Sequence, residues 1–261
     1  MSKPKFFGLS GDVLFFVFGH FGLMVAHMMF ALPLLIFVTV LKNLALDAGL
    51  IWVTYPLGIL TLLAFAVFRL SWHRACCETP RDIPVYNPFR STKDDLKYLG
   101  FFIVFWGVFG LIMQGITIGV QVGLPNIGLA NWAPFAQVVA ALVLMYAFLK
   151  LSLYLPPLAL GSWPKFSDVM RAGKGVMVPL AVASFTFALL FLLAFTVYSQ
   201  IALIVAQVAS DGNQMGKVEA MTAGLIMGTP ALFGLLVFYA LYIASVTRAY
   251  VWGIQNNPVT A

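Results

Sequence analysis

Six long apolar stretches run through this chain, and their interiors carry almost no charged side chain. They cover roughly residues 12–41, 50–71, 96–123, 132–156, 176–208 and 219–252. A helix needs about 20 apolar residues to cross the hydrocarbon core of a bilayer, where every backbone hydrogen bond must be made within the protein. The sequence therefore predicts an all-α polytopic membrane bundle with six transmembrane helices, forming a single integral membrane domain over residues 1–261.

Composition excludes a sizeable aqueous domain. Charged residues make up 9% of the chain and hydrophobic residues 62%, whereas soluble domains contain about 25% charged residues. The net charge of +6 is carried by short basic fringes, which favour contact with anionic membrane lipids. We expect no nucleic-acid partner.

Lysine and arginine lie almost entirely on one side of the apolar stretches. Of the 15 Lys and Arg residues, only Lys42 and Lys217 fall in connections on the other side. Basic loops stay in the cytoplasm, and a charge near the bilayer centre costs about 2.5–3.5 kcal/mol. The pattern predicts a multi-pass inner-membrane protein with its N- and C-termini in the cytoplasm.

A repeated spacing divides the stretches into three helical hairpins, over roughly 10–74, 91–157 and 167–254. Ser10, Ser91 and Ser167 could each cap the first helix of a hairpin, because an acidic residue follows within a few positions. Each hairpin then closes with a basic residue in an aromatic setting. Evenly spaced basic and aromatic helix ends are also ordinary in six-span proteins, so both accounts stay open.

The basic and aromatic residues at the helix ends are predicted to meet lipid headgroups, because long cationic side chains can reach the interface from within a span. Trp163 and Phe166, among basic residues of the second connection, also predict a short interfacial helix. The predicted boundary residues are Arg69, Trp72, Arg74, Lys150, Lys165, Arg171, Lys174 and Arg248.

His20 and His27 are candidate cofactor ligands in the first stretch. They lie seven residues apart, which is two helical turns, so both rings would project from nearly the same face. Ionisable groups at membrane depth suggest function. Beside Met24 and Met28 they could bind Cu(I), or one could ligate a haem or chlorin. The alternative is a neutral histidine that hydrogen-bonds across a helix interface.

Four glutamines repeat this seven-residue spacing in two other stretches, as Gln114 with Gln121 and Gln200 with Gln207. Such amides hydrogen-bond between membrane helices, at about 0.6 kcal/mol each. We expect interhelical polar contacts here, with a pore lined by the amides as the alternative.

Several short runs resemble a known group of membrane proteins. They are Phe68 to Arg74, Asp95 to Gly100, Lys150 to Pro156 and the amphipathic segment Ser167 to Gly175. In these runs the chain resembles uncharacterised six-pass bacterial membrane proteins of the YciC type, which are related to the membrane domain of glycerophosphodiester phosphodiesterases. The resemblance implies a six-span fold in a bacterial inner membrane and supplies no catalytic residues.

Sequence motifs distinguish between the possible classes of function. The sequence contains no HExxH or GxSxG motif, and the adjacent Cys76 and Cys77 lack the ligand spacing of a zinc site. We therefore predict no enzyme, no catalytic residues and no metal site. The leading hypothesis is a non-catalytic accessory, scaffolding or assembly subunit of a membrane complex, or a protein that organises lipid. Its partner would be another membrane protein or a second copy.

Two alternatives to this hypothesis stay open. One is a transporter or channel for a small solute or ion, because a membrane bundle can enclose a polar path. The other is haem, chlorin or copper binding through His20 and His27, so the sequence leaves the cofactor unknown.

Overall fold

The computed structural model describes residues 8–77, 92–123, 126, 128–210 and 217–256, with side chains described throughout except at residues 130, 203–227 and 256. This part of the chain is helical and contains no strand. The helices are α1 (Gly8–Gly19), α2 (Phe21–Asp47), α3 (Thr54–Cys77), α4 (Lys93–Ile118), α5 (Ala133–Ser152), α6 (Leu155–Ala159), α7 (Phe166–Ala172), α8 (Met177–Ser210) and α9 (Lys217–Asn256).

Six of the described helices are long and apolar enough to cross a membrane, namely α2, α3, α4, α5, α8 and α9. A 3₁₀ turn at Ile51–Val53 precedes α3, and α4 continues into a π-helical turn at Gly119–Gly123. The prediction of an all-α bundle with six spans is confirmed, and the protein is a multi-pass membrane protein.

The first apolar stretch, predicted as one helix, is divided at His20. This residue has φ −117° and ψ 30° and separates α1 from α2. Two backbone hydrogen bonds cross the break, from His20 N to Phe16 O at 3.1 Å and from Met24 N to His20 O at 3.0 Å. The bend lets α1 pack against α8 and α9 while α2 packs against α3 and α9.

The tightest packing lies at one end of the bundle, where α3, α5 and α9 end and α4 and α8 begin. We call this the basic end, because Arg74, Lys97, Lys150 and Arg248 lie there. All buried residues of α4 fall within its first ten positions, up to Phe102. The rest of α4 is exposed or only partly covered, so the bundle is well packed at the basic end and open towards the other.

Arg74 joins three helices at the basic end. Its guanidinium pairs with the Asp95 carboxylate at the beginning of α4, and its Nε donates to the Ala159 carbonyl of α6 at 2.7 Å. Asp95 also completes a capping box with Thr92: Asp95 N donates to Thr92 Oγ1 at 3.2 Å, and Thr92 N donates to Asp95 Oδ2 at 2.8 Å. Because the pair is largely buried, it holds α4 against α3 more firmly than a surface ion pair would.

The predicted serine caps are wrong at two positions. Ser10 lies inside α1 and is buried, and Ser167 is the second residue of α7, whose N-cap is Lys165 without a side-chain bond. The third, Ser91, lies outside the described residues, and the observed cap of α4 is Thr92. Short polar side chains also occur inside helices, and Ser10 Oγ makes no hydrogen bond to a described residue. These two serines therefore do not support the threefold repeat of hairpins, which stays a prediction.

The segment predicted to form a short helix does so as α7, and its end rests directly on α9. Val169 and Ala172 of α7 are each 1% exposed. A methyl group added at Gly253 of α9 would collide with the carbonyl group of Ala172. Only glycine therefore permits this close approach of the two backbones.

The contact predicts that Gly253→Ala will lower the free energy of unfolding by about 2 kcal/mol, because the added methyl must displace α7 from α9. The matched control is Gly234→Ala on the same helix, where no neighbouring atom lies within 4 Å of the new Cβ. The control should be neutral or slightly stabilising, because alanine favours helix over glycine. Unfolding in detergent micelles measures both changes, and equal values would contradict the close contact.

Candidate functional site

A fully buried arginine lies inside the bundle. Arg69 of α3 is 0% exposed and stands eight residues before the end of the helix at Cys77, about 12 Å along its axis. The sequence predicted that Arg69 and Trp72 would reach lipid headgroups. The structure places both between helices instead. Residues of α4 and α9 surround Arg69, whereas residues of α1, α2 and α9 contact Trp72.

The Arg69 guanidinium is enclosed by aromatic rings. Its Cζ lies 5.7 Å from the ring centroids of Phe102 and Tyr239 and 5.4 Å from that of Tyr242. Nη1 donates to Tyr239 Oη at 3.2 Å. Cation–π contacts are worth about 2 kcal/mol or more when desolvated, so three rings offset part of the cost of burying this charge.

A directed chain of hydrogen bonds leads from Arg69 to α9. Arg69 Nε donates to His73 Nε2 at 3.0 Å, and His73 Nδ1 lies 2.6 Å from Thr247 Oγ1. Because an arginine can only donate, His73 Nε2 must be the accepting nitrogen, and Nδ1 carries the proton. Thr247 Oγ1 accepts the hydrogen bond from His73 Nδ1 and donates its own to the Ile243 carbonyl at 2.8 Å. The chain holds His73 as a neutral ring in one tautomer.

Several polar groups around Arg69 make no hydrogen bond of ideal geometry. Arg69 Nη2, Tyr98 Oη and Tyr242 Oη are buried without one among the described residues, although both tyrosine hydroxyls lie close enough to the guanidinium to interact with it. The two ion pairs found in this part of the chain involve Arg74 with Asp95 and Lys97 with Asp94, so no described carboxylate neutralises Arg69. An intramembrane charge of this kind marks a candidate functional site.

The two histidines predicted as ligands sit in different settings. His20 is half-buried at the bend, and its Nδ1 lies 2.8 Å from the Phe16 carbonyl. His27 is 2% exposed, faces the Trp72 ring edge-on at 6.0 Å, and has no partner for either ring nitrogen among the described residues. Within the described ranges, no three His, Cys, Asp or Glu side chains come together as a possible metal site. Cofactor binding by this pair stays a prediction.

The other predicted boundary residues divide into exposed and packed groups. Lys165, Arg171 and Lys174 are exposed around α7, and Lys150 is half-exposed at the end of α5. Arg248 instead stacks on the Phe16 ring, 4.4 Å from its centroid, and thereby joins α9 to α1.

One face of α4 carries small and polar residues along its length. Gly100, Gly107 and Gln114 of α4 follow one another at seven-residue intervals, and all three are exposed. A seven-residue interval returns to nearly the same side of an α-helix, so these residues form one stripe. We call it the α4 stripe. Gly110 lies one turn from Gly107 on the same side, and no described neighbouring atom comes within 4 Å of a Cβ built there.

The three of these predicted glutamines whose side chains are described do not pair with one another. Gln114 faces outward on the α4 stripe, Gln121 is exposed on the π-helical turn Gly119–Gly123 that follows α4, and Gln200 is exposed on α8. The side chain of Gln207 lies outside the described residues. Their pairing with another chain stays a prediction. Periodicity alone identified these residues, and only the packing shows which way they face.

No protein-family model, curated protein or solved structure matches this chain. The resemblance to YciC-type membrane proteins therefore stays a prediction.

The hydrogen-bond chain predicts unequal roles for two buried histidines. His73→Leu should lower the free energy of unfolding by about 3 kcal/mol, because Arg69 Nε and Thr247 Oγ1 lose their partner. His27→Leu is the matched control and should change it by less than about 1 kcal/mol, because no described hydrogen bond is lost. Unfolding in detergent micelles compares the two variants, and a larger loss for His27→Leu would reveal an additional ligand on that ring.

Proposed function

We propose that this protein is a non-catalytic accessory or assembly subunit of a membrane complex, and that the α4 stripe packs against a transmembrane helix of a partner membrane protein. The observation that supports this proposal is the row of exposed glycine and glutamine residues in an otherwise apolar span. Membrane helices associate through small residues that allow close backbone approach and through amides that hydrogen-bond across the interface.

The energetics of the lipid phase favour a partner at this face. An amide that faces hydrocarbon has no hydrogen-bond partner, and burial of an unpaired amide costs several kcal/mol in the least polar reference solvents. Gln114 carries such a group on α4, and Gln121 carries another in the π-helical turn that continues α4. A partner helix that offers polar side chains would pair them, and the seven-residue interval suits the left-handed crossing of about +20°.

The proposal also includes the membrane location and orientation of the protein. We place the protein in a bacterial inner membrane, with the basic end and both termini in the cytoplasm. Arg74, Lys97, Lys150, Arg171 and Arg248 at or near that end support this orientation, because basic residues flanking spans stay on the cytoplasmic side.

The decisive variant is Gly110→Ile. It leaves the fold of the chain intact, since no described neighbour lies within 4 Å of the new Cβ, but it fills the groove that a partner helix would enter. The matched control is Gly115→Ile on the same helix, which is also exposed and free of neighbours and is turned by about 140°. Native mass spectrometry from mild detergent should show the larger particle reduced about tenfold for Gly110→Ile and unchanged for the control.

Site-specific photo-cross-linking identifies the partner. A photoreactive residue in place of Gln114 should give one protein adduct of defined mass, whereas the same residue in place of Phe185, which is 64% exposed on α8, should react with lipid. An adduct of twice the chain mass would make a second copy the partner. Lipid adducts alone at position 114 would contradict the proposal.

Transport of a small anion is the second candidate function, and the buried Arg69 without a described carboxylate partner favours it. Under the leading proposal, purified protein in liposomes should give no anion flux above that of empty vesicles. Flux that is present in the wild type and is lost in Arg69→Gln would replace the leading proposal with transport. The retained fold of the variant should be verified by its unfolding midpoint.

A further inference from the structure

A cavity of about 590 Å³ opens at the basic end between α5, α7 and the beginning of α8. Three basic side chains line it, one from α5 and two from the segment that includes α7 and the turn after it. Lys150 is at the end of α5, Arg171 is in the last turn of α7, and Lys174 is in the turn before α8. Ser167 adds a hydroxyl group, while Tyr146 adds an aromatic wall on the side of α5.

The charge of the cavity is one-sided. No acidic residue belongs to its described lining. The nearest carboxylate along the chain, that of Asp168, lies beside this lining: its Oδ1 is 3.5 Å from Ser167 Oγ, at the limit of a hydrogen bond. Lys150 Nζ lies over the Tyr146 ring, 5.7 Å from its centroid, so the ammonium group and the ring wall of the cavity are in cation–π contact.

The polypeptide around the cavity is held in place by packing. Gly173 lies close to Leu153, where an added Cβ would come within 3.2 Å of Leu153 Cδ1, and Gly175 has a φ of +83° that favours glycine. Tyr154 Oη donates to the Pro164 carbonyl at 2.6 Å and fixes the connection before α7. Since α7 also rests on Gly253 of α9, the three basic groups are carried by an ordered frame.

We propose that this cavity binds a phosphate group, and specifically the headgroup phosphate of an acidic phospholipid. Phosphate accepts several charge-assisted hydrogen bonds, which arginine can give in pairs and lysine as a single strong donor. The cavity also has apolar walls, from Met170 and Met177, which suit the glycerol and first methylene groups of a lipid. Its position at the helix ends matches the depth of headgroups.

This site is separate from the α4 stripe. Its residues lie on α5, α7 and the turn before α8, so substitutions there leave Gly107, Gly110 and Gln114 untouched. Lipid binding and partner binding can therefore succeed or fail independently.

The test measures binding of phosphatidylglycerol and phosphatidic acid to the full chain in detergent micelles, by native mass spectrometry and by the shift of the unfolding midpoint. The double variant Lys150→Gln/Arg171→Gln should bind acidic lipid about 25-fold more weakly, because each basic group near an anionic headgroup contributes about fivefold. Lys93→Gln is the matched control, because Lys93 is an exposed residue at the beginning of α4, at the same end and outside the cavity. It should stay within about twofold of the wild type.

Two further measurements are needed. One compares lipid with soluble phosphate as the ligand, and the other tests whether the positive charges alone account for binding. Inorganic phosphate and glycerol 3-phosphate should protect the protein far less than acidic lipid, and phosphatidylcholine should not displace the acidic lipid. Lys150→Arg/Arg171→Lys, which keeps both charges, should restore most of the affinity. Protection by soluble phosphate as strong as by lipid would overturn the lipid assignment, and equal lipid binding by wild type and the Gln variant would overturn the site itself.

Discussion

The burial of the Arg69 cation is the constraint on which the packed end of this bundle depends. A charge inside an apolar bundle is costly unless its surroundings satisfy it. Here three helices must meet around it: α3 supplies the arginine and His73, α4 supplies Phe102, and α9 supplies Tyr239, Tyr242 and Thr247. Separation of any of these helices would expose the charge to hydrocarbon, so their arrangement is cooperative.

The two ends of the molecule differ because of this packing. At the basic end, the Arg69 chain, the Arg74–Asp95 pair and the bond from Trp72 Nε1 to the Ala240 carbonyl join the helices across the bundle. Towards the opposite end, α4 has no buried residue after Phe102. Regions with few buried contacts are those that respond most easily to a ligand or partner. The basic end is therefore the well-packed part of the molecule, and the remainder of α4 offers an open surface within the membrane.

The spans were predictable because the physics of the bilayer acts residue by residue. An apolar length of about 20 residues is required whatever the neighbours are, and the predicted stretches correspond to six of the helices. Other inferences failed where they needed information from neighbouring helices. Arg69 follows an apolar run beside aromatic residues, which is also the sequence setting of an arginine whose side chain extends to the membrane interface. The spacing of the glutamines is the same whether their amides face inward or outward. The caps failed because a serine that precedes an acidic residue can also lie inside a helix, as Ser10 and Ser167 do.

By itself, the sequence determined that this chain is a helical membrane protein with six spans, with its positive charge gathered at one end. Hydrophobicity and charge act locally and need no knowledge of the fold. Only the tertiary structure decided that Arg69 and His73 are enclosed, that Gln114 and Gln121 are not, and that Lys150, Arg171 and Lys174 surround one cavity. These properties depend on which helix faces come together, and that is set by contacts between residues far apart in the chain.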